Sequence, residues 1–216
     1  MTRAAASAAA TMASRSGAHD REVLRAMAAV PRDRFVPIEL RSMAYEDEPL
    51  PLAANGSTIS APHMVAIQLE AARLSEGLRI LEVGSGSGYL LALVSEVMHR
   101  TGRVLGLEID PGLVEGARST LTELGYADGI EVRCADGWAG AVDRAPFDRI
   151  LVSCAVPEIA PAWRAQLVAS GRIVAPVGDG HRAQLRSVGK DGRVLEAGPA
   201  CRFVPVRRAR DPIYRA

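Results

Sequence analysis

The sequence predicts a doubly wound α/β fold whose sheet is mostly parallel, with antiparallel strands in its C-terminal part. Near-continuous apolar runs of strand length recur along the chain, and up to Gly171 they alternate with helix candidates. After Gly171, strand candidates follow one another with only glycine-containing turns between them. The chain has 216 residues, 48% hydrophobic and 24% charged, so we expect one globular domain over residues 19–216.

The segment that precedes the first long strand is expected to be a helical extension, residues 19–77. Residues 1–18 are rich in alanine and are expected to be disordered. Apolar residues at helical spacing predict a helix over His19–Val30, and a shorter one is expected over Pro37–Tyr45. Glu46–Ile59 contains two prolines and an Asn-Gly pair, which predicts a long, functional loop. Ser60 is suited to cap the helix that follows.

Residues 78–177 are expected to form the core of the sheet, and residues 178–216 to add antiparallel strands and a basic tail. The strand candidates are Arg79–Val83, Arg103–Ile109, Ile130–Cys134, Arg149–Ser153, Arg172–Val177, Gln184–Val188, Val194–Glu196 and Arg202–Val206. The helix candidates between them are Gly88–His99, Pro111–Leu124 and Ala160–Val168.

A glycine-rich turn follows the first of these strands. Residues 82–88 read Glu-Val-Gly-Ser-Gly-Ser-Gly, and the next strand leads to Glu108, twenty residues past the last glycine. Such glycines let the backbone approach a nucleoside, and an acid at the next strand end accepts hydrogen bonds from ribose hydroxyls. The third glycine comes one residue too early for a dinucleotide motif, and Tyr89 stands at the expected position. The spacing therefore favours a nucleoside without a phosphate, and S-adenosyl-L-methionine is the leading candidate.

Two further acids belong to the same pattern. Glu82 precedes the glycines and could orient the turn or meet the methionine part of the cofactor. Asp136, followed by Gly137, could accept a hydrogen bond from the adenine amino group, although Asp-Gly also suits a plain turn. Glu108 could instead be an acid at the start of the next helix, but Asp110 suits that role better. Three successive strand ends thus indicate a site for this cofactor.

Short proline-containing motifs flank the glycine-rich turn. Before it stand Val30-Pro31-Arg32, Phe35-Val36-Pro37, Tyr45–Pro51 and Thr58–Pro62, and after it stand Ala145–Asp148, Pro157-Glu158, Gly171-Arg172, Pro176–Gly178 and Phe203–Pro205. In these motifs, over roughly residues 20–206, the chain resembles the protein-L-isoaspartate O-methyltransferases. The Thr-Ile-Ser-x-Pro element is specific to that family among methyltransferases.

The resemblance implies a fold and an activity. The fold would be a seven-stranded, Rossmann-like methyltransferase sheet. The activity would be methylation of the α-carboxylate of isoaspartyl residues in peptides and proteins, with S-adenosyl-L-homocysteine as product. The ester then closes to a succinimide, and hydrolysis of that ring returns some normal aspartate, which repairs the chain.

The resemblance also implies roles for individual residues. Ser60 would be catalytic, because its hydroxyl can donate to the substrate carboxylate; alternatively it only caps the next helix. A carboxylate is already nucleophilic at neutral pH, so alignment with the methyl group matters more than a strong base. The expected cofactor-binding residues are Ser57, Thr58, Ile59, Glu82, Gly84, Ser85, Gly86, Ser87, Glu108, Ile109, Asp136 and Gly137.

Three other functions stay open. Ser57 stands where family members often have glutamine, and similar departures surround the expected substrate cleft. They would suit an enzyme that methylates a normal aspartate in one dedicated peptide to install an aspartimide. A second alternative is a protein that binds S-adenosyl-L-methionine without catalysis, against which the intact Thr58–Ser60 argues. The third is a methyltransferase for nucleic acids or small metabolites; the absence of a basic excess and of an Asn/Asp-Pro-Pro-aromatic motif argues against the nucleic-acid substrate.

Composition limits the expected partners. The net charge is +1, so it does not predict nucleic-acid binding, and no apolar run approaches the ~20 residues of a membrane span. Three cysteines do not suit a secreted disulfide framework. We expect a cytoplasmic monomer with no metal, nucleic-acid or membrane partner, and the family resemblance implies that it acts on peptides or proteins. The one local excess of charge, Arg202, Arg207, Arg208, Arg210 and Arg215, is either a solvated tail or a contact for an acidic substrate.

Overall fold

The computed structural model describes residues 18–179 and 181–209, together with Ala8, Thr11 and Ser14. The segment 1–18, expected to be disordered, lies outside the described residues except at these three positions and at Ala18, which is buried. The basic tail is described as far as Ala209, so Arg210 and Arg215 lie outside as well.

Within residues 18–77, two α-helices and a small hairpin precede the main sheet. Helix α1 (Arg21–Ala29) begins after Asp20, whose carboxylate accepts hydrogen bonds from two amides of the first turn. Strands β1 (Leu50–Pro51) and β2 (Thr58–Ile59) pair in antiparallel fashion. Helix α2 (Pro62–Ala72) follows, with proline in its first turn. The helices predicted at either end of this region are thus confirmed.

The middle of this region agrees with the prediction in one place and differs from it in another. Residues Ile38–Met43, within the short helix expected over Pro37–Tyr45, form a 3-10 helix; no residue of this segment is fully buried, and Leu40 and Met43 pack only partly against the core. Glu46–Ile59 contains the β1–β2 hairpin, whose two-residue strands are too short to produce a recognisable alternation.

A seven-stranded sheet forms the centre of the molecule. Its strands are β3 (Arg79–Val83), β4 (Arg103–Glu108), β5 (Ile130–Cys134), β6 (Phe147–Val152), β7 (Leu167–Gly178), β8 (Ala183–Gly189) and β9 (Val194–Cys201). Their spatial order is β5-β4-β3-β6-β7-β8-β9, parallel from β5 to β7 and antiparallel from β7 to β9. The predicted fold class is therefore confirmed. The chain enters at β3 and winds outward on both sides, so β3 marks the switch point at which such sheets bind ligands.

Apolar side chains cover both faces of this sheet. One cluster joins strand residues such as Ile80 and Val104 to α1, α2, α3 (Tyr89–Val97) and α4 (Pro111–Glu123). The other joins their strand neighbours Leu81 and Leu105 to Trp163 of α5 (Pro161–Ala165). Alternate strand residues thus point to opposite buried faces, which explains why the strands read as continuous apolar runs.

The last predicted strand, Arg202–Val206, is not a strand in the structure. Strand β9 continues to Cys201, and the chain then lies beside the end of β6. There the Ala155 amide donates to the carbonyl oxygen of Val204 at 2.8 Å, and the Val206 amide donates to the carbonyl oxygen of Ala155 at 2.8 Å. Pro205 stands between these bonds and has no N–H to extend the ladder. This bridge brings the segment to the carboxyl edge of the parallel strands.

Candidate active site

The loop after β3 depends on glycines in the left-handed region of backbone conformation. Gly84, Gly86 and Gly88 have φ angles of 78°, 51° and 83°, which residues with a Cβ rarely adopt. The amides of Gly84 and Ser85 donate to the carbonyl oxygen of Leu107 at 2.8 and 3.2 Å. The loop is thereby held across the carboxyl ends of β3 and β4, where the sequence predicts the nucleoside site.

Glu108, the last residue of β4, holds the glycine-rich loop in place through a hydrogen bond. It is 7% exposed; one carboxylate oxygen accepts a hydrogen bond from the Gly86 amide at 2.8 Å. The other oxygen accepts from the amides of Ile109 and Asp110 at 2.8 and 3.1 Å. The carboxylate of Asp110, in turn, accepts from two amides in the first turn of α4. The alternative role of helix cap therefore belongs to Asp110, as the sequence suggested. Glu108 keeps acceptor capacity for a ligand on the oxygen that, among the described residues, accepts only from Gly86.

Glu82 is an acid buried beside the same loop. It is 1% exposed, and its Oε1 accepts a hydrogen bond from the Ser153 hydroxyl at 2.7 Å. Among the described residues its Oε2 has no hydrogen-bond partner. Burial raises the pKa of Glu82 to about 8, against the hydrogen bond from Ser153, and the charge of Glu108 adds to the rise. A ligand that brings a cation or a donor to Oε2 would satisfy this carboxyl group.

The raised pKa of Glu82 should make the stability of the ligand-free protein depend on pH. The carboxyl keeps its proton up to about pH 8 when folded, but loses it near its ordinary value of 4.5 when unfolded. Stability is then fully present below the lower value and declines up to the higher one, by at most ~1.4 kcal/mol per pH unit. Thermal unfolding of the wild type and Glu82→Gln across this window should show a decline that the variant lacks. Parallel curves for the two proteins would contradict the assignment.

Two adjoining cavities open at this edge of the sheet, and the expected site residues line them. The first is lined by Ser57, Thr58, Gly84, Gly86, Glu108, Ile109 and Gly137, among others. The second is lined by Thr58, Ile59, Ser60, Glu82, Gly84, Ser85, Gly86 and Ser87, among others. Because Thr58, Gly84 and Gly86 border both, a single extended ligand could occupy the pair.

Ser60 lies between β2 and α2 with its side chain available to the second cavity. Ala61 occupies the N-cap position of α2, so the alternative that Ser60 is this helix's N-cap is wrong. The helix starts one residue later than expected. The His63 amide in its first turn donates to the carboxylate of Asp47 at 3.0 Å, and not to the side chain of Ser60. The Ser60 hydroxyl has no hydrogen-bond partner within the described part of the chain.

Asp136 is the expected site residue that lines neither cavity. Its Oδ1 accepts from the Trp138 amide at 3.0 Å, and its Oδ2 accepts from the Ala209 amide at 3.0 Å and from Nε of Arg208 at 3.3 Å. Burial favours the neutral acid, but these donors outweigh it and hold the pKa of Asp136 below its usual value. The C-terminal segment thus engages the carboxylate that the sequence assigns to adenine.

The same segment supplies a wall of the first cavity that sequence reasoning missed. Val204, Pro205, Val206 and Arg207 line this cavity opposite the glycine-rich loop. Arg207 also donates to the Ser57 hydroxyl at 3.0 Å and to the carbonyl oxygen of Asn55. The signal for this role was the Phe-Val-Pro motif that stands just before the arginines.

These features fit S-adenosyl-L-methionine. Glu108 borders the first cavity with acceptor capacity for ribose hydroxyls, and Glu82 offers a buried oxygen without a partner beside the second. A doubly wound sheet with this loop and these acids defines an S-adenosyl-L-methionine-dependent methyltransferase. The chain belongs to the protein-L-isoaspartate(D-aspartate) O-methyltransferase family, whose model matches residues 8–211.

Individual relatives agree with this assignment. Protein-L-isoaspartate O-methyltransferase 2 of Anaeromyxobacter sp. (strain Fw109-5) is 48% identical over 197 residues, covering 89% of this chain and 78% of the relative. The protein-L-isoaspartate O-methyltransferase of Hyperthermus butylicus is 46% identical over 195 residues, covering 85% and 80%. The predicted family resemblance is thus confirmed.

Solved structures share the fold. One protein-L-isoaspartate O-methyltransferase superposes with a TM-score of 0.82 at 28% identity, over 94% of this chain and 66% of that chain. A beta-aspartate methyltransferase from Plasmodium falciparum, in complex with S-adenosyl-L-homocysteine, superposes with a TM-score of 0.82 at 23% identity, over 94% and 98%.

The described residues include neither a membrane-spanning helix nor a cluster of metal ligands. No helix among them is long and apolar enough to cross a membrane. Within the same part of the chain, no group of three or more His, Cys, Asp or Glu side chains could hold a metal ion.

Proposed function

We propose that this chain methylates the α-carboxylate of isoaspartyl residues in peptides and proteins, the reaction for which its family is named. The observation that carries the proposal is the Ser60 hydroxyl, which borders the second cavity together with Glu82 and has no partner in the described chain. We further propose that the protein acts as a cytoplasmic monomer, without a nucleic-acid or membrane partner.

The cofactor-binding residues have distinct proposed roles. When bound, S-adenosyl-L-methionine supplies an electrophilic methyl group. Glu108 would accept hydrogen bonds from the ribose hydroxyls, in line with its place at the end of β4. Glu82 would pair with the ammonium group of the methionine part and would lose its proton on doing so, because a nearby cation stabilises the carboxylate. The other expected cofactor-binding residues would contact the cofactor through their backbone atoms.

Ser60 would orient the substrate. Its hydroxyl would donate to one carboxylate oxygen, and the nearby N-terminus of α2 would favour the negative charge. The carboxylate is ionised at neutral pH without assistance, so the site needs no general base. The residues therefore act by alignment and by the exclusion of water, and a small hydroxyl is sufficient.

The direct test is methyl transfer from labelled S-adenosyl-L-methionine to two short peptides that differ only at one position. One peptide carries isoaspartate there and the other carries normal aspartate. We expect base-labile methylation of the isoaspartyl peptide alone, and similar labelling of an unrelated isoaspartyl sequence.

Two other outcomes would overturn the proposal in favour of an alternative. Cofactor binding without transfer to any isoaspartyl peptide, together with transfer to one aspartyl sequence, would indicate an enzyme for a dedicated peptide. Cofactor binding without transfer to any carboxylate would indicate a binding protein.

A further inference from the structure

Arg32 is a buried cation behind the proposed catalytic residue. Its side chain is fully buried, and it lies between the N-terminal segment and the loop that carries Ser60. Its guanidinium donates to the carbonyl oxygens of Ser60 at 3.1 Å and Glu48 at 3.2 Å, and also to that of Ala44. Its Nε has no hydrogen-bond partner among the described residues.

No carboxylate neutralises this charge directly. None of the ion pairs formed by the described residues includes Arg32, and burial lowers the pKa of its guanidinium. The three carbonyl groups can hold the guanidinium group of Arg32 in place, but they are neutral and do not cancel its charge. An unpaired buried cation is costly to the folded state, so its retention suggests a use beyond packing.

The position of Arg32 indicates what its buried charge could act on. Its guanidinium is hydrogen-bonded to the carbonyl oxygen of Ser60, and Ser60 borders the second cavity. Its charge also opposes the rise that burial causes in the pKa of Tyr89, which borders the same cavity. The proposed substrate bears its reacting negative charge at this place. The effect of a charge extends over several ångströms where water is excluded, so Arg32 can act on a carboxylate that it does not touch.

We propose that Arg32 is the positioning residue that makes the second cavity selective for a carboxylate. It does so by fixing the backbone of Ser60 and by supplying the positive potential that the Ser60 hydroxyl alone lacks. This inference rests on the proposed function, because it assumes that the substrate carboxylate is held at Ser60.

The test compares binding of two peptides in the presence of S-adenosyl-L-homocysteine, so that no transfer occurs. One carries isoaspartate, and the other is identical except that a carboxamide replaces the α-carboxylate. The quantity of interest is the ratio of their dissociation constants. We expect Arg32→Met to lower the wild-type preference for the carboxylate by about tenfold, because the methionine side chain is of similar length but carries no charge.

A purely structural role would give a different result. Arg32→Met would then weaken both peptides equally and leave the ratio unchanged, which would overturn the inference. Unchanged affinity for S-adenosyl-L-homocysteine serves as the check that the cofactor cleft is intact. Wild-type protein that does not distinguish the two peptides would instead overturn the proposed function.

A second variant keeps the inference testable should Arg32→Met not fold. The charge of Asp47 acts on the Arg32 guanidinium, and the Asp47 side chain is half-exposed on the surface. Asp47→Asn removes its charge but keeps the oxygen that accepts from the His63 amide. We expect the carboxylate preference to rise by about twofold, since a partly screened negative charge is removed. An unchanged or reduced preference would contradict the role of Arg32.

Discussion

Replacing Ser60 by alanine is expected to remove most methyl transfer and leave cofactor affinity unchanged. The hydroxyl has no partner in the described structure and does not cap α2, so its removal leaves no buried group unsatisfied. Loss of one hydrogen bond to a charged acceptor corresponds to about 1.5–3 kcal/mol, or roughly a 10- to 150-fold lower kcat/KM. Steady-state transfer to an isoaspartyl peptide, together with calorimetric binding of S-adenosyl-L-homocysteine, measures both quantities.

A serine-to-alanine substitution away from the cavities serves as the matched control for Ser60→Ala. Ser75 is exposed in the turn between α2 and β3, and Ser75→Ala should behave as the wild type in both assays. Ser60→Thr retains a hydroxyl and should recover part of the activity. Full turnover in Ser60→Ala would remove Ser60 from the catalytic step.

Glu108→Ala should have its largest effect on cofactor binding. The carboxylate holds the Gly86 amide and borders the first cavity, so its loss should both free the loop and remove an acceptor for ribose hydroxyls. We expect affinity for S-adenosyl-L-homocysteine to fall by about 1.5–3 kcal/mol, because hydrogen bonds to a charged acceptor are lost. Calorimetry at fixed pH and ionic strength gives the value directly.

Glu115→Ala is the appropriate control, because Glu115 is an exposed acid on the adjacent helix α4. It changes the net charge by the same amount and should leave affinity unaltered. Equal affinities for Glu108→Ala and the wild type would contradict the proposed contact between Glu108 and the ribose.

The residues proposed to bind the cofactor could be singled out from the sequence because they are close together along the chain. The glycine-rich turn and Glu108 belong to one β3–α3–β4 unit, in which short connections fix their relative positions. Apolar strands and spaced glycines therefore specify both the local fold and the place of the ligand. Ser60 was singled out differently, through the Thr-Ile-Ser-x-Pro motif shared with the family, and its role stays a prediction.

What could not be predicted depends on contacts between distant segments. Arg32 meets Ser60 only after α1 and the hairpin have folded back, and nothing in its own surroundings in the sequence indicates burial. Asp136 was assigned correctly to a strand end, but its partners Arg208 and Ala209 come from the far end of the described chain. The predicted strand Arg202–Val206 failed because a single bridge beside Pro205 replaced regular pairing.

The wall formed by Val204–Arg207 has a consequence for protein synthesis. The glycine-rich loop and Glu108 leave the ribosome long before this wall does, since translation proceeds from the N-terminus. A nascent chain can therefore build most of the sheet while its cofactor cavity is still open on one side. Tight cofactor binding would then mark completed chains, and the cofactor would contribute little to the folding of incomplete ones.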